Sequence, residues 1–362
     1  VRLVAIADAN PAVADDNAQR YGYQRAEYDW RAIADAPDID AVSVVVANHL
    51  HREMVEGLLA AGKHVLCEKP LAGTVADAEA MVAAAAVSDR VTAVGYTYRR
   101  SPAVEQIRRT LAGGTLGELI HFNGHYWCDY GLDPTSPITW RYRGGPGSGA
   151  LADVGSHLID LAEFLCSPIT EVSGASFATL ISARPVPLGV TYGHTKGAIS
   201  DELAPVENED IATFTARFDS GAVGTFSASR VAHNLPDGLG FELFGSHGSA
   251  AFDLHRAGEF HLSSDELGGA SQARGGCSSD PSTPTSAVAC RWTPAASAMV
   301  SPTCSATRRA HSSIRSLESA TSGHCLASRP ACTDCAWWLP SPNPPPQVRH
   351  RQSQLLREEF PS

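Results

Sequence analysis

The chain has no apolar run near the ~18–20 residues that a membrane-spanning helix needs. It has no basic surplus either: 28 Lys and Arg stand against 39 Asp and Glu, a formal charge of −11. That balance disfavours nucleic-acid backbones as partners, because they are bound through basic surface. No basic flank followed by an apolar core opens the chain, so no secretory leader is expected at Val1, and a cytoplasmic protein is the expectation. Cysteine is scarce over residues 1–264, where only Cys67, Cys128 and Cys166 occur; Cys277, Cys290, Cys304, Cys325, Cys332 and Cys335 all fall in 265–362. What is present is ordinary for a globular protein, with 43% hydrophobic and 19% charged residues. A length of 362 residues accommodates two domains.

The first part alternates strand and helix. Val1–Ala7 and Ala41–Val46 are short apolar or β-branched runs that read as buried strands, followed by His64–Cys67 and Val91–Val94. Between them, 12–21, 28–36, 52–61 and 74–86 suit helices, two of them closed by Gly22 and Gly62. This alternation predicts a doubly wound parallel sheet, in which ligands bind beyond the carboxyl ends of the strands. Asp8, the 48–51 segment with Asn48 and His51, and Glu68-Lys69-Pro70 sit at those ends. A dinucleotide-binding fold of this kind opens with a strand and G-x-G-x-x-G, with an acidic residue about 20 positions later. Asp8 suits the acidic residue, but nothing suits the glycine turn. The expectation is that the first strand, turn and helix are missing from this sequence. A carboxylate at Asp8 accepts ribose hydroxyls and repels a 2′-phosphate, and Ala9 offers that phosphate no cation, so NAD is preferred to NADP.

A second set of polar residues follows a glycine-rich stretch, in GGPGSGALADVGSHLID (144–160). Asp153 and His157 are i and i+4, and His157 and Asp160 are i and i+3, which puts all three on one face of an α-helix. An imidazole oriented by a carboxylate suits a general base. The blander alternative is a capped helix start with a satisfied histidine. The same residues resemble a metal set, but no second His/Cys cluster follows before residue 265, and a zinc site needs three or four ligands; no metal is expected.

Taken together, these pieces resemble the Gfo/Idh/MocA oxidoreductases, the family of glucose–fructose oxidoreductases and inositol dehydrogenases. The resemblance rests on AIADAN (5–10), ANHLH (47–51), AGKHVLCEKPLA (61–72), GYTYR (95–99), GTLGEL (115–120), WR (140–141) and GALADVGSHLIDL (149–161). It implies an incomplete Rossmann-type domain over 1–98 and, over 99–264, an α+β domain with an open, mainly antiparallel sheet. The pattern fits two hairpins there, Asp210–Val231 around Asp219-Ser220-Gly221 and Phe241–Asp253 around Ser246-His247-Gly248. The outer face of that sheet often joins subunits in the family, which implies a homo-oligomer.

Carried over residue by residue, the resemblance makes Lys69, Asp153 and His157 catalytic. Lys69 also touches the cofactor, across a Lys69–Pro70 bond that is commonly cis. Asp160, Trp140, Arg141, Tyr96 and Arg99 would line the substrate pocket. Asp8, Asn48, His51 and Glu68 would lie along the cofactor. The family usually has Thr-Pro before the asparagine where this chain has Val46-Ala47. The implied function is transfer of a hydride between NAD and a secondary alcohol of a sugar, cyclitol or related polyol. Alternatives on the same fold are a non-catalytic or damaged fragment, NAD-assisted glycoside hydrolysis, and aldose–aldose exchange.

From Asp265 the pattern stops. Residues 265–362 are rich in Ser, Pro and Thr without periodicity, which suggests a low-complexity, disordered tail. Six cysteines with Trp292, Trp337 and Trp338 suit disorder poorly. Back-translated with GC-rich codons and read in another frame, Arg329–Trp338 gives Thr-Gly-Leu-His-Gly-Leu-Arg-Val-Val, which resembles the family's C-terminal helix; an out-of-frame tail is the expectation. The competing reading is a zinc site from His324, Cys325, Cys332 and Cys335, although a structural site usually has two such pairs.

Overall fold

The computed structural model describes residues 1–145, 147–189, 197–265 and the backbone of 273–276. The expectations for the rest of the tail lie outside the described residues.

Strand and helix alternate through the first part. Strand β1 (Ala5–Ala7) leads to α1 (Pro11–Tyr21), then β2 (Arg25–Glu27), α2 (Trp30–Asp35) and β3 (Ala41–Val44). Next come α3 (His51–Ala60), β4 (His64–Cys67), α4 (Val75–Val87) and β5 (Thr92–Val94). Local sequence accounts for the helix ends. Asn10 accepts from the Ala12 amide at the start of α1, Pro11 opens the helix, and Gly22 closes it at φ +77°. Thr74 caps α4 by accepting from the Asp77 amide.

The parallel strands form two sheets, β1–β2 and β3–β4–β5. The two share a core without a ladder between them: Val42 of β3 packs on Val4, Ile33, Ala36 and Ile39, the cluster that also borders Ala5 and Ala7. Among the described residues no strand pairs with the second edge of β1 or of β3. The register sets Val44 beside Cys67 and Cys67 beside Val94, so β3, β4 and β5 end together. The Glu68 amide donates to the Val44 carbonyl and the Gly95 amide to the Cys67 carbonyl. Lys69 therefore emerges just beyond the carboxyl end of the middle strand, where such sheets bind ligands.

Helix α5 (Pro102–Ala112) leads into β6 (Leu119–Trp127), and α6 (Ser156–Leu165) follows a long connection. The remaining strands are β7 (Ile169–Ala178), β8 (Ala183–Pro187), β9 (Ile199–Pro205), β10 (Ile211–Phe218), β11 (Val223–Ser229), β12 (Gly238–Gly245), β13 (Gly248–Asp253), β14 (Glu259–Ser264) and β15 (Ala273–Gly276). Seven of them and β6 form one open, eight-stranded sheet in the order β15-β14-β13-β12-β6-β11-β10-β7, antiparallel except where β11 runs parallel to β6. Both expected hairpins occur, β10–β11 turning at Gly221 (φ +89°) and β12–β13 turning at Ser246-His247. One face of the sheet carries α6. Leu158, Leu161 and Ala162 share a core there with Phe122, Phe226, Phe241 and, from α5, Ile107, none more than 3% exposed. At ~25 cal/mol per Å² of apolar area buried, this cluster is a main source of hydrophobic stabilisation for the domain.

No helix among the described residues is long and apolar enough to cross a membrane.

Candidate active site

The helix carrying the expected catalytic residues starts irregularly. Leu151–Gly155 is a π-helical turn that runs into α6, a feature often found at functional sites. Its entry is held by Glu209, which is 1% exposed and whose carboxylate accepts from the amides of Gly147, Gly149 and Leu151. Gly149 is required at this approach, because a Cβ there would lie 2.2 Å from the Glu209 carbonyl oxygen. The neighbouring Asp210 forms a fully buried ion pair with Arg230 at 2.8 Å. Both acids stand directly before β10, and Glu209 ties the glycine-rich loop to the sheet.

Lys69 and Asp153 meet. The Lys69 ammonium donates to the Asp153 carboxylate at 3.0 Å and to the Asp153 carbonyl at 2.9 Å, with the two side chains 19% and 26% exposed. The Lys69–Pro70 bond is cis. The other carboxylate oxygen of Asp153 accepts from the Tyr130 hydroxyl at 2.7 Å. Burial alone would raise the Asp153 carboxyl; the Lys69 charge, the Tyr130 hydroxyl and the Arg141 charge outweigh it and hold the group at about 2.

His157 lies beside this pair, 8% exposed, with the Tyr98 ring edge-on at 4.9 Å and the Tyr96 ring edge-on at 5.9 Å. Burial first and the Lys69 charge second, opposed by Asp153, bring its imidazole down to about 3, so it is neutral. Its Nδ1 has no hydrogen-bond partner among the described residues.

The pairing of Asp153 with His157 that the sequence spacing implies does not form. Asp153 does not bond to His157 as an α-helical i,i+4 pair would. The π-helical turn alters the angular relation, and Lys69 and Tyr130 occupy both carboxylate oxygens.

Asp160, 7% exposed, takes the Arg99 guanidinium in a two-pronged bond, 2.7 Å on one oxygen and 2.5 Å on the other. Burial raises its carboxyl and the Arg99 fork opposes that rise. Arg99 also lies over the Phe164 ring at 4.9 Å. Trp140 is 45% exposed, with the Arg141 guanidinium stacked on its ring at 4.4 Å; the Arg141 Nε is buried and has no partner among the described residues.

Of the residues expected along a cofactor, Asp8 is exposed just past β1. One of its oxygens accepts from the Asn10 amide. Asn48 heads a short 3-10 turn after β3, and Glu68 accepts from the Lys69 amide. His51 is a correction. It is fully buried; its Nδ1 faces the carbonyls of Pro70 and Leu71 and its Nε2 faces that of Val46, leaving neither nitrogen for a ligand. It clamps the segment after Lys69 to the end of β3. Asp8 and Asn48 at strand ends suit ribose hydroxyls, and the Lys69 ammonium stands beyond the carboxyl end of β4. The described residues thus fit the ribose portions of a nicotinamide dinucleotide and contain no G-x-G-x-x-G turn for its pyrophosphate. They also contain no group of three His, Cys, Asp or Glu placed to hold a metal.

Tyr130 and Glu209 were not among the expected residues. Tyr130 lies in no motif, and the only hint of Glu209 is the acidic pair before β10.

Residues 1–96 match the model of the oxidoreductase family with an NAD-binding Rossmann fold, and residues 104–251 match the GFO/IDH/MocA C-terminal domain. Levoglucosan dehydrogenase of Pseudarthrobacter phenanthrenivorans is 38% identical over 260 residues, 71% of this chain and 66% of that enzyme. Myo-inositol 2-dehydrogenase of Thermotoga maritima is 26% identical over 246 residues, 68% of this chain and 66% of that enzyme. The chain thus spans just under two thirds of these curated relatives. The solved complex of levoglucosan dehydrogenase with NADH and L-sorbose superposes with a TM-score of 0.70 at 34% identity, covering 78% of this chain and 72% of that one.

Proposed function

Because the chain belongs to the Gfo/Idh/MocA oxidoreductase family, we propose that it moves a hydride between NAD and a secondary alcohol of a sugar, cyclitol or related polyol. Residues 1–98 hold the cofactor and 99–264 the substrate. The observation that carries this reading is the meeting of Lys69, from a strand end, with Asp153 beside a neutral buried His157. Relatives named for levoglucosan and myo-inositol, and a relative solved with NADH and L-sorbose, support the substrate class.

When bound, NAD supplies the carbon that accepts the hydride. Asp8 would hold its adenosine ribose, and Asn48 and Lys69 would hold its nicotinamide end. The Lys69 ammonium, fixed by Asp153, donates to the substrate oxygen and stabilises negative charge developing there. His157 is neutral and so free to take the hydroxyl proton; burial and the Lys69 charge weaken it as a base, and the Asp153 charge opposes that weakening. The Asp153 carboxylate, ionised throughout, stabilises the imidazolium that forms. Asp160, turned by Arg99, accepts from neighbouring hydroxyls, and the exposed Trp140 ring offers an apolar face to a sugar ring.

We read the protein as a cytoplasmic homo-oligomer. The outer face of the eight-stranded sheet supports an assembly: the cross-strand pair Phe244–His121 stacks there, with Phe244 43% exposed. Light scattering on the purified chain measures that state.

The function is tested by incubating the protein with NAD and a panel of levoglucosan, inositols, aldoses and glycosides while following reduced-nicotinamide absorbance. Reduction with at least one free polyol is expected. No reduction with any of them, or glycoside cleavage alone, overturns the reading.

A further inference from the structure

Tyr130 lies just past β6, in a segment bonded on both sides to the end of β11. The Cys128 amide donates to the Ser229 carbonyl at 2.7 Å, and the Gly131 amide to the Arg230 carbonyl at 2.8 Å. Gly131 admits no side chain, because a Cβ would lie 2.8 Å from the Arg230 carbonyl oxygen. The backbone carrying Tyr130 is therefore held on both sides, and its hydroxyl reaches one oxygen of Asp153 at 2.7 Å while Lys69 holds the other at 3.0 Å. Burial, then the Asp153 charge, suppress ionisation of the phenol, so Tyr130 stays a donor. An anion gripped by two donors from different elements has one orientation, and the ammonium it holds has one position.

We propose that Tyr130 is a positioning residue of this site: its hydroxyl fixes the Asp153 carboxylate so that the opposite oxygen stays turned to the Lys69 ammonium. The unit that sets the catalytic amine is thus Tyr130–Asp153–Lys69, and His157 stands beside it without a bond to the carboxylate. This role rests on the hydride-transfer reading of the site.

The test is Tyr130→Phe in the full chain, which keeps the ring and removes only the donor. Three measurements are made: steady-state kinetics, the titration of Asp153 by ¹³C NMR of labelled aspartate (its signal identified by its loss in Asp153→Asn), and the double variant with Asp153→Asn. A hydrogen bond to a charged group corresponds to a factor of about ten or more, so kcat is expected to fall at least about ten-fold with KM for NAD unchanged. Asp153 is expected to remain ionised at pH 3 in the native protein and to take up its proton at higher pH in Tyr130→Phe. The double variant is expected to be no slower than Asp153→Asn alone. An Asp153 titration that Tyr130→Phe leaves unmoved, or kinetic losses that simply add, overturns the proposal. So does a native Asp153 that titrates in the usual carboxylate range, a measurement that needs no variant. If the native chain reduces no NAD, the functional reading fails, and the NMR titration still judges the Tyr130 contact.

Discussion

Replacing His157 by Gln removes the one imidazole that the fold holds neutral at the candidate active site, and the consequence is measurable without substrate. In the folded chain this group titrates at about 3, against 6.5 for an unperturbed histidine. The folded value lies below the unfolded one, so on acidification the unfolded chain binds the proton first. The stability associated with a neutral His157 is fully present above pH 6.5. It is lost progressively as pH falls from there toward 3. At pH 5 the unfolded chain has already gained about 1.5 pH units of proton binding that the folded chain has not. At ~1.4 kcal/mol per unit this corresponds to about 2 kcal/mol. Urea melts of the native protein and His157→Gln at pH 8 and pH 5 isolate this term, because every other titrating group is common to both. The variant is expected to lose about 2 kcal/mol less than the native protein between the two pH values. Equal losses would show that His157 is free to charge in the folded state, and the account of a desolvated imidazole beside a cation would be wrong.

Two further predictions concern the cofactor end and the core. Asp8→Ser, which removes a carboxylate expected to accept ribose hydroxyls, weakens NAD binding by roughly ten-fold and narrows the preference over NADP in titration calorimetry; unchanged binding of both would remove Asp8 from the cofactor site. Leu158→Ala, at a position 1% exposed on the sheet-facing side of α6, destabilises the fold by about 2–5 kcal/mol in urea melts. A loss below 1 kcal/mol would mean that this helix is not seated on the sheet as described.

Much of the fold was legible because its signals are local. Asn10-Pro11, Thr74 and Gly22 act within a few residues of the helix ends that they define, and Asp219-Ser220-Gly221 marks its own hairpin. The strand Arg25–Glu27 was missed because Arg-Ala-Glu has no apolar alternation; it is a strand because it pairs with β1. The candidate site residues were marked by motif, but their partnerships were not. The i,i+4 rule assumes α-helical geometry, and no residue signals the π-helical turn at Leu151–Gly155. The donors on Asp153 come from 84 residues before it and 23 before it, and the carboxylate seating its helix comes from about 60 residues after the glycines it binds. His51 looked like a ligand because of its place after a strand end; only its three carbonyl neighbours show it to be a clamp.

The central claim is that the Lys69 ammonium, held by Asp153, directs hydride transfer from a polyol carbon. It is tested most directly by supplying a polyol deuterated at its carbinol carbons and measuring deuterium in the reduced nicotinamide by mass spectrometry, for the native chain and for Lys69→Met. Deuterium is expected with the native protein, with a rate at least about a hundred-fold lower in the variant. Equal rates in the two proteins, or no deuterium from the native chain, would contradict the account.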